Sequence, residues 1–382
     1  MRFLHLADLH IGKRLREFSL LQDQEDILTK ILDLVAIHHP DAVLICGDIY
    51  DKSDPSAEAV EVFDQFLTGL AQYGQPVMLI SGNHDSPERI NYGSGIMEKQ
   101  QVYLAGLFEG QLQTITLADE YGEVVFHLLP FVKPAQVRRY YPEANIISYE
   151  DALQVILSAT PLDPDKRHVL LAHQFITAQG VNPERSESEQ ISIGTLDNID
   201  ASVFAGFDYV ALGHIHRPQS IGGMHIRYAG SPLKYSFSEA LHHKSATLVE
   251  LKEKADIKID LLPLTPLHDL REISGSIEKL LSPEVYLAAD RNDYLHITLT
   301  DEEDLVDPLV SLRNIYPNIV TLDFNNSRYA TADSEANIAN INNKSPLELF
   351  TEFYAYQQNI ELGDSKRAIV QKIFQEMEEK HE

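Results

Sequence analysis

Five apolar runs in the sequence lead into side chains that can bind a metal ion or carry a proton. A strand that only filled a core would more commonly end in Gly, Ser or a plain turn. The run "LISGNHDSP" at 79–87 leads instead into Asn83, His84 and Asp85. The other four runs lead into similar residues: Asp8 and His10 in "LHLADLH", Asp48 in "LICGD", His173 in "LLAHQ", and His214 and His216 in "VALGHIH".

These residue types indicate a site for two metal ions. Carboxylates, an amide carbonyl and neutral imidazoles suit Mn²⁺, Fe²⁺ or Zn²⁺. Seven such ligands are too many for one ion, and two ions about 3.5–4 Å apart can hold one phosphoryl group and generate a hydroxide. We predict that Asp48 bridges the ions. The first ion is assigned to Asp8, His10 and His216, and the second to Asn83, His173 and His214.

Three neighbouring residues are predicted to assist the ligands. His84 is predicted to be catalytic, because an imidazole facing a scissile phosphate can protonate the leaving oxygen or stabilise developing charge. Asp51 and Asp85 are predicted to orient histidines. Any single histidine in such a strand is usually structural, and an Asp after Gly is often a turn or cap. Five strands with the same ending favour the metal site.

The elements that position these residues follow an α/β pattern up to about residue 235. Strand-like runs alternate with two stretches of helical apolar spacing, at 18–39 and 56–74. In an open α/β sheet, ligands bind beyond the carboxyl ends of the strands. We therefore expect the candidate ligands to meet in space although they span more than 200 positions.

The pattern of predicted strands and helices changes after residue 262, and we predict that the chain contains four segments. Residues 1–262 form the domain that carries the site, and 263–326 form a small α+β domain. Residues 327–344 are poor in large apolar side chains and are predicted to be a linker. Residues 345–382 are predicted to form a tail of two amphipathic helices, broken near Gly363.

Composition limits the classes of function. The formal net charge is −27, and both 1–262 and 263–382 are acidic, which opposes binding of nucleic acid by the chain alone. If DNA is the substrate, bound metal or a partner must supply positive charge. The single cysteine, Cys46, fits a reducing cytoplasm. No apolar run approaches the roughly 20 residues of a membrane span.

Taken in order, the motifs resemble those of the calcineurin-like metallophosphoesterases. They are "DLH" at 8–10, "GD" at 47–48, "GNHD" at 82–85, the His of "LLAHQ" and "GHIH" at 213–216. Longer stretches, such as "HLADLHIGK" and "YAGSPLKYSFSE", are similar to the nuclease subunits of bacterial double-strand-break repair complexes. The resemblance implies an α/β fold with a β-sandwich flanked by helices, a small α+β cap domain and a C-terminal helical tail.

The same resemblance implies an activity and partners. It implies Mn²⁺-dependent hydrolysis of DNA: 3′–5′ exonuclease action on duplexes and endonuclease action on single strands or hairpins. It also implies a homodimer formed through helices near the site, and an ATPase partner with a long coiled coil on which the tail docks. The motifs assign the seven ligands named above and make His84 catalytic. Some relatives have a histidine where this chain has Asp51.

Two other interpretations compete with a DNA nuclease. One is a phosphoprotein phosphatase or a phosphodiesterase for a small-molecule or nucleotide substrate. A phosphatase of this fold typically has an Arg beside these motifs, which "GDIYDKS" and "GNHDSP" lack, and Arg89 lies further along. The other is a metal-stabilised scaffold without activity. The presence of His84 argues against a scaffold, because structure alone does not require it.

Overall fold

The computed structural model describes residues 1–189, 198–303, 305–326, 346–358, 362–363, 366–367 and 369–371. The chain divides into two compact units. The first contains Met1–Leu299 and Val306–Asp323, and the second contains Thr300–Leu305 and Phe324–Glu382. The predicted linker at 327–344 lies outside the described residues. No described helix is both long and apolar enough to cross a membrane.

Two six-stranded sheets form the centre of the first unit. In spatial order, the first sheet contains β16 (Ile257–Pro263), β15 (Ser245–Leu251), β1 (Arg2–Leu6), β4 (Ala42–Cys46), β5 (Val77–Ile80) and β6 (Val102–Ala105). The second contains β13 (Gln219–Ser220), β14 (Ile226–Tyr228), β12 (Tyr209–Gly213), β9 (Arg167–His173), β8 (Gly122–Leu128) and β7 (Gln113–Asp119).

The sheets pack face to face, and helices cover their outer faces. One buried cluster between the sheets includes Phe3 and Leu44 from the first sheet and Phe126 and Tyr209 from the second. Their neighbours along the strands point outward, because side chains alternate in a strand. Leu4, for example, belongs to the cluster under the two long helices. The fold is therefore the predicted sandwich, but the five site-bearing strands belong to two sheets rather than one.

The long helices form where apolar residues recur at helical spacing. The two longest are α1 (Leu21–His38) and α2 (Ala57–Gln72), and the first unit also contains α6 (Tyr149–Ser158). The Ser56 hydroxyl caps α2 by accepting the Ala59 N–H, and Ser148 caps α6 in the same way. The first predicted helix begins later than expected, because Phe18–Ser19 forms β3, which pairs with β2 (Arg14–Leu15).

Shorter elements complete the described residues. A small sheet contains β17 (Leu270–Gly275), β18 (Tyr294–Leu299) and β19 (Ile319–Phe324), and β10 (Ile176–Thr177) pairs with β11 (Ile199–Asp200). The short helices are α3 (Pro87–Ile90), α4 (Ser94–Met97), α5 (Pro134–Val137), α7 (Ile277–Leu280), α8 (Pro283–Tyr286) and α9 (Pro308–Arg313), with 3₁₀ turns at Glu98–Gln100, Ala201–Phe204 and Phe237–Glu239. In the tail, α10 spans Pro346–Gln358. Most of the predicted second tail helix lies outside the described residues.

Candidate metal centre

All seven predicted ligands follow or end strands at one edge of the sandwich. β1, β4 and β5 of the first sheet lead into the loops that carry Asp8, His10, Asp48 and Asn83, and β9 and β12 of the second sheet lead to His173, His214 and His216. The ladder between β1 and β4 continues into their loops. The Asp8 N–H donates to Gly47 O at 3.1 Å, and the His10 N–H donates to Asp48 O at 2.9 Å. These bonds hold the two loops together.

The backbone at the site is strained. Four of the candidate ligands have positive φ: Asp8 (54°), His10 (44°), Asp48 (50°) and His214 (99°). This region is uncommon for residues other than glycine, and it persists where the surrounding structure enforces it. Gly82 lies against the same loops, and a Cβ there would be 2.1 Å from Asp48 Oδ1. The glycine in "GNHD" is thus required by close approach to a ligand.

One group of donors surrounds His10. Its Nε2 lies 3.1 Å from His216 Nε2 and 3.5 Å from Asp48 Oδ2. Ligand atoms of Asp8, His10 and His216 all lie within 4.8 Å of one another. The structure therefore brings together the set that the sequence assigned to the first ion.

A second group surrounds His173. Its Nε2 lies 3.0 Å from Asn83 Oδ1 and 3.3 Å from Asp48 Oδ2. His214 Nδ1 lies 2.9 Å from the same Asn83 oxygen. The set assigned to the second ion is also together, and Asp48 Oδ2 lies within 3.5 Å of a histidine from each group.

The buried polar atoms of the site fit a bound cation. Asp8 Oδ2 is buried without a hydrogen-bond partner among the described residues, and such an atom is costly in a protein interior. Burial raises the pKa of Asp8 to about 7. A divalent ion would supply the missing partner and favour the ionised carboxylate.

The titration of the neighbouring groups also suits metal binding. Burial lowers the pKa of His10 well below its usual range and that of His214 to about 3, so both rings are neutral. Burial alone would raise the pKa of Asp48, but the charge and hydrogen bond of His173 hold it well below the usual range. Burial alone would lower the pKa of His173, but Asp48 raises it to about 9, so metal binding at His173 would release a proton. Neutral imidazoles and an ionised carboxylate are the forms that bind metal ions.

In two histidines, a backbone carbonyl fixes the proton on Nδ1. His173 Nδ1–H donates to Cys46 O at 2.8 Å, which leaves Nε2 facing Asn83 and Asp48. His84 Nδ1–H donates to Asp51 O at 2.9 Å, which leaves its Nε2 available. The His84 ring stands edge-on to His10, with ring centroids 4.8 Å apart. His84 therefore lies at the site.

The predicted orienting carboxylates act differently from expectation. Within the described part of the chain, Asp85 bonds to no imidazole: its oxygens accept the backbone N–H groups of Gly82, Ile49 and Tyr50 at 2.8–3.2 Å. It therefore fixes the loops rather than a ring. Asp51 orients His84 through its backbone carbonyl, while its carboxylate pairs with Lys13 Nζ at 2.8 Å and lies 3.8 Å from His10 Nδ1.

Sequence reasoning missed a polar cluster behind His216. Ser188 Oγ lies 2.8 Å from His216 Nδ1, and Glu239 lies between Ser188 and Lys244. Glu239 is fully buried. Burial alone would raise the pKa of Glu239, but His216 and Lys244 hold it well below its usual range. The motif "YAGSPLKYSFSE" contains Glu239, but nothing in its local pattern separates it from a turn residue.

Comparisons with known proteins agree with this geometry. Residues 1–218 match the family model for calcineurin-like phosphoesterases, and residues 266–358 match the model described as the type 5 capsule protein repressor C-terminal domain. The SbcD subunit of the SbcCD nuclease from Staphylococcus epidermidis is 36% identical over 84% of this chain and 85% of the relative. The same subunit from Staphylococcus saprophyticus is 35% identical over 86% of this chain and 87% of the relative.

Among solved structures, a dimetal phosphatase from Danio rerio covers 69% of this chain and 98% of its own, with 13% identity and a TM-score of 0.42. That likeness is too low to add to the assignment. The family model covers more than half of the chain, and each SbcD relative matches over more than four fifths of both chains. The chain therefore belongs to the calcineurin-like phosphoesterase family and, within it, to the SbcD subunits of SbcCD nucleases.

Proposed function

We propose that this chain is the nuclease subunit of an SbcCD-type complex, which hydrolyses DNA phosphodiester bonds with two Mn²⁺ ions. The observation that carries the proposal is the shared position of Asp48, whose Oδ2 lies 3.5 Å from His10 Nε2 and 3.3 Å from His173 Nε2. One carboxylate between two donor groups suits two closely spaced cations. The name of the S. epidermidis and S. saprophyticus relatives supports DNA as the substrate.

The residues of this chain would divide the work. Asp8, His10 and His216 would hold one ion, Asn83, His173 and His214 the other, and Asp48 both. When bound, such ions polarise a phosphate and lower the pKa of water. His84, held by Asp51 O through Nδ1–H, would present Nε2 to the leaving oxygen and, in its imidazolium form, donate the Nε2 proton to that oxygen and become neutral. Asp85 keeps the loops in place through three backbone amides.

The proposal includes 3′–5′ exonuclease action on duplexes and endonuclease action on single strands and hairpins, in DNA repair, recombination and replication. An SbcC-type coiled-coil ATPase would supply the positive DNA-binding surface that a chain of net charge −27 lacks. α10 supports docking on that partner, since its Phe353 is mostly exposed. A buried Cys46 as the only cysteine suits a cytoplasmic protein.

We further propose a homodimer through α3 and α4, close to the site. Tyr92 is 84% exposed and Ile96 is 76% exposed, so an apolar pair faces outward where the loop after Asn83 leads into these helices. Large apolar side chains that stay exposed on a single chain and lie close together in sequence can take part in an interface.

The test is cleavage of a linear duplex with Mn²⁺, by the chain alone and with a coexpressed SbcC-type ATPase. Asp48→Ala should abolish cleavage, and His84→Ala should slow it by about 10²–10⁴-fold. Matched substitutions of exposed residues, Asp64→Ala and His243→Ala, should not. A small phosphodiester serves as a parallel substrate. If only the small diester is cleaved, even with the partner present, the chain is a general phosphodiesterase and the DNA substrate is wrong.

A further inference from the structure

The polar cluster behind His216 has one consistent arrangement of protons. Glu239 Oε1 accepts from Ser188 Oγ at 2.5 Å and from Ser236 Oγ at 3.2 Å. An ionised carboxylate only accepts hydrogen bonds, so the single Ser188 hydroxyl proton points at Glu239. The Ser188 oxygen must then accept from His216, whose Nδ1 lies 2.8 Å away and is also 3.4 Å from Glu239 Oε1, which can only accept. Nδ1 therefore carries the proton.

This arrangement leaves His216 Nε2 with its lone pair at the metal centre. That atom lies 3.1 Å from His10 Nε2 and belongs to the group formed with Asp8 and His10. The opposite tautomer would place a proton on Nε2, where it would compete with a metal ion. Histidines that bind metals generally donate their other ring N–H to a fixed acceptor, which sets the tautomer.

Lys244 anchors the acceptor. All three of its ammonium protons are used, by Glu239 Oε2 at 2.6 Å, His216 O at 2.8 Å and Ser231 Oγ at 2.8 Å. Lys244 and Glu239 are both buried, and a buried ion pair survives only with good geometry and further hydrogen bonds. Lys244 therefore holds the Glu239 carboxylate beside the His216 ring by donating both to Glu239 and to the His216 carbonyl.

We propose that Ser188 and Glu239 are positioning residues that fix His216 in the tautomer able to bind a metal ion, and that Lys244 anchors them. This inference rests on the two-metal site proposed above. It assigns to the segment 185–189 and to the 3₁₀ turn Phe237–Glu239 a role in metal affinity. Neither segment supplies a ligand.

The test measures metal binding and the tautomer rather than activity. The full-length protein is stripped with a chelator, and Mn²⁺ binding is measured by calorimetry. Ser188→Ala should weaken one of the two ions by about 10–100-fold and leave the other unchanged. Ser188→Thr, which keeps the hydroxyl, should restore affinity to near that of the wild type. Ser158→Ala removes an exposed hydroxyl at the end of α6, outside this cluster, and is the matched control.

Nitrogen-15 NMR of labelled histidines gives the second readout in metal-free protein. Wild type should show the Nδ1–H form of His216, and Ser188→Ala should shift it toward Nε2–H. Glu239→Gln should act in the same direction. Because Glu239 is buried and Gln could weaken the fold, the Ser188 variants decide the matter. Ser188→Ala with two wild-type affinities and an unchanged tautomer would overturn this inference alone. Wild type that binds no divalent ion would overturn it together with the site.

Discussion

The two ends of strand β9 differ in how completely their buried polar groups are paired within the protein. At its start, Arg167 pairs with Asp119 through both terminal nitrogens and donates to the carbonyls of Leu251, Lys252 and Gly122. Of its side-chain nitrogens, only Nε has no partner in the described chain. At the other end, His173 enters a cluster in which buried oxygen and nitrogen atoms have no protein partner among the described residues.

The difference separates a structural polar network from a binding site. The Arg167 end is nearly completed by the chain itself, so it needs nothing further to be stable. At the His173 end, the backbone of several ligands is strained, Gly82 packs closely against Asp48, and ligand atoms lack partners. A cation would supply a partner for such atoms. Buried polar groups as such do not mark the site. Incomplete pairing among ligand-type atoms does, because an unpaired buried group is costly.

The largest expected effect comes from removing the shared carboxylate. Asp48→Ala should abolish DNA cleavage and reduce Mn²⁺ affinity by at least about 100-fold, since a direct ligand should matter more than the residues that support one. Calorimetry on chelator-stripped protein measures the affinity. Arg167→Met, at the other end of the same sandwich, should lower stability and leave Mn²⁺ affinity near wild type. Equal losses of Mn²⁺ affinity in both variants would contradict the proposed difference between the two ends of β9.

His84→Ala should separate chemistry from binding. A general acid contributes about 10²–10⁴-fold, so the single-turnover rate should fall by that factor. Mn²⁺ affinity should change little, because His84 is not among the seven ligands. Quenched-flow cleavage and calorimetry on the same preparation give both values. A large loss of Mn²⁺ affinity would instead make His84 a ligand.

Gly82→Ala tests the close packing of the metal end. A Cβ there would lie 2.1 Å from Asp48 Oδ1, so the loop must shift. We expect a loss of about 1–3 kcal/mol in the free energy of unfolding, with weakened Mn²⁺ binding. Gly95→Ala is the control, because a Cβ added at Gly95 would meet nothing within 4 Å. Gly95→Ala should neither lower the free energy of unfolding nor weaken Mn²⁺ binding, and a neutral Gly82→Ala would contradict the packing argument.

The smallest effect is expected at the Arg167 end and depends on pH. Burial alone would raise the pKa of Asp119, but hydrogen bonds from Arg167 help to lower it to about 2. Since the folded pKa lies below the unfolded value of about 3.9, Asp119 stabilises the fold above pH 4. That contribution is lost as the pH falls from about 4 through 2.

Asp119→Asn should therefore lower stability at pH 7 by about 1 kcal/mol, in the upper range for partly exposed ion pairs. Its thermal midpoint should then fall less than that of the wild type between pH 4 and pH 2. Thermal melts of chelator-stripped protein at pH 7, 4, 3 and 2 measure this. The exposed Asp165→Asn is the control. Parallel acid profiles for Asp119→Asn and wild type would remove Asp119 from the network.

Most residues of the candidate metal centre could be predicted because the pattern that marks them lies within a few residues of each one. Each candidate ligand directly follows an apolar run, and parallel strand ends gather at one edge. The division of these strands between two sheets could not be read from the sequence, because buried strands look alike in composition. One of the two partners of β1 is β15, more than 200 residues away, and no local pattern encodes that pairing.

Supporting residues were harder to assign than ligands. Asp85 follows His84 directly, so its position suggests a carboxylate that bonds to an imidazole. In the folded protein it accepts hydrogen bonds from the backbone amides of two loops instead. Ser188 and Glu239 are 51 positions apart and meet only in the folded chain. Their chemistry depends on burial, which a single Ser or Glu in a polar stretch does not reveal.

The split of the site between two sheets has a consequence for synthesis of the protein on the ribosome. Asp8 and His10 emerge first, whereas His216 follows some 200 residues later, and β15 must also emerge to pair with β1. A growing chain therefore lacks part of each donor group until most of the sandwich has been made. A partly synthesised or truncated chain that ends before these residues would lack ligands for both ions and would not cleave DNA. The topology therefore prevents cleavage until most of the protein has been made.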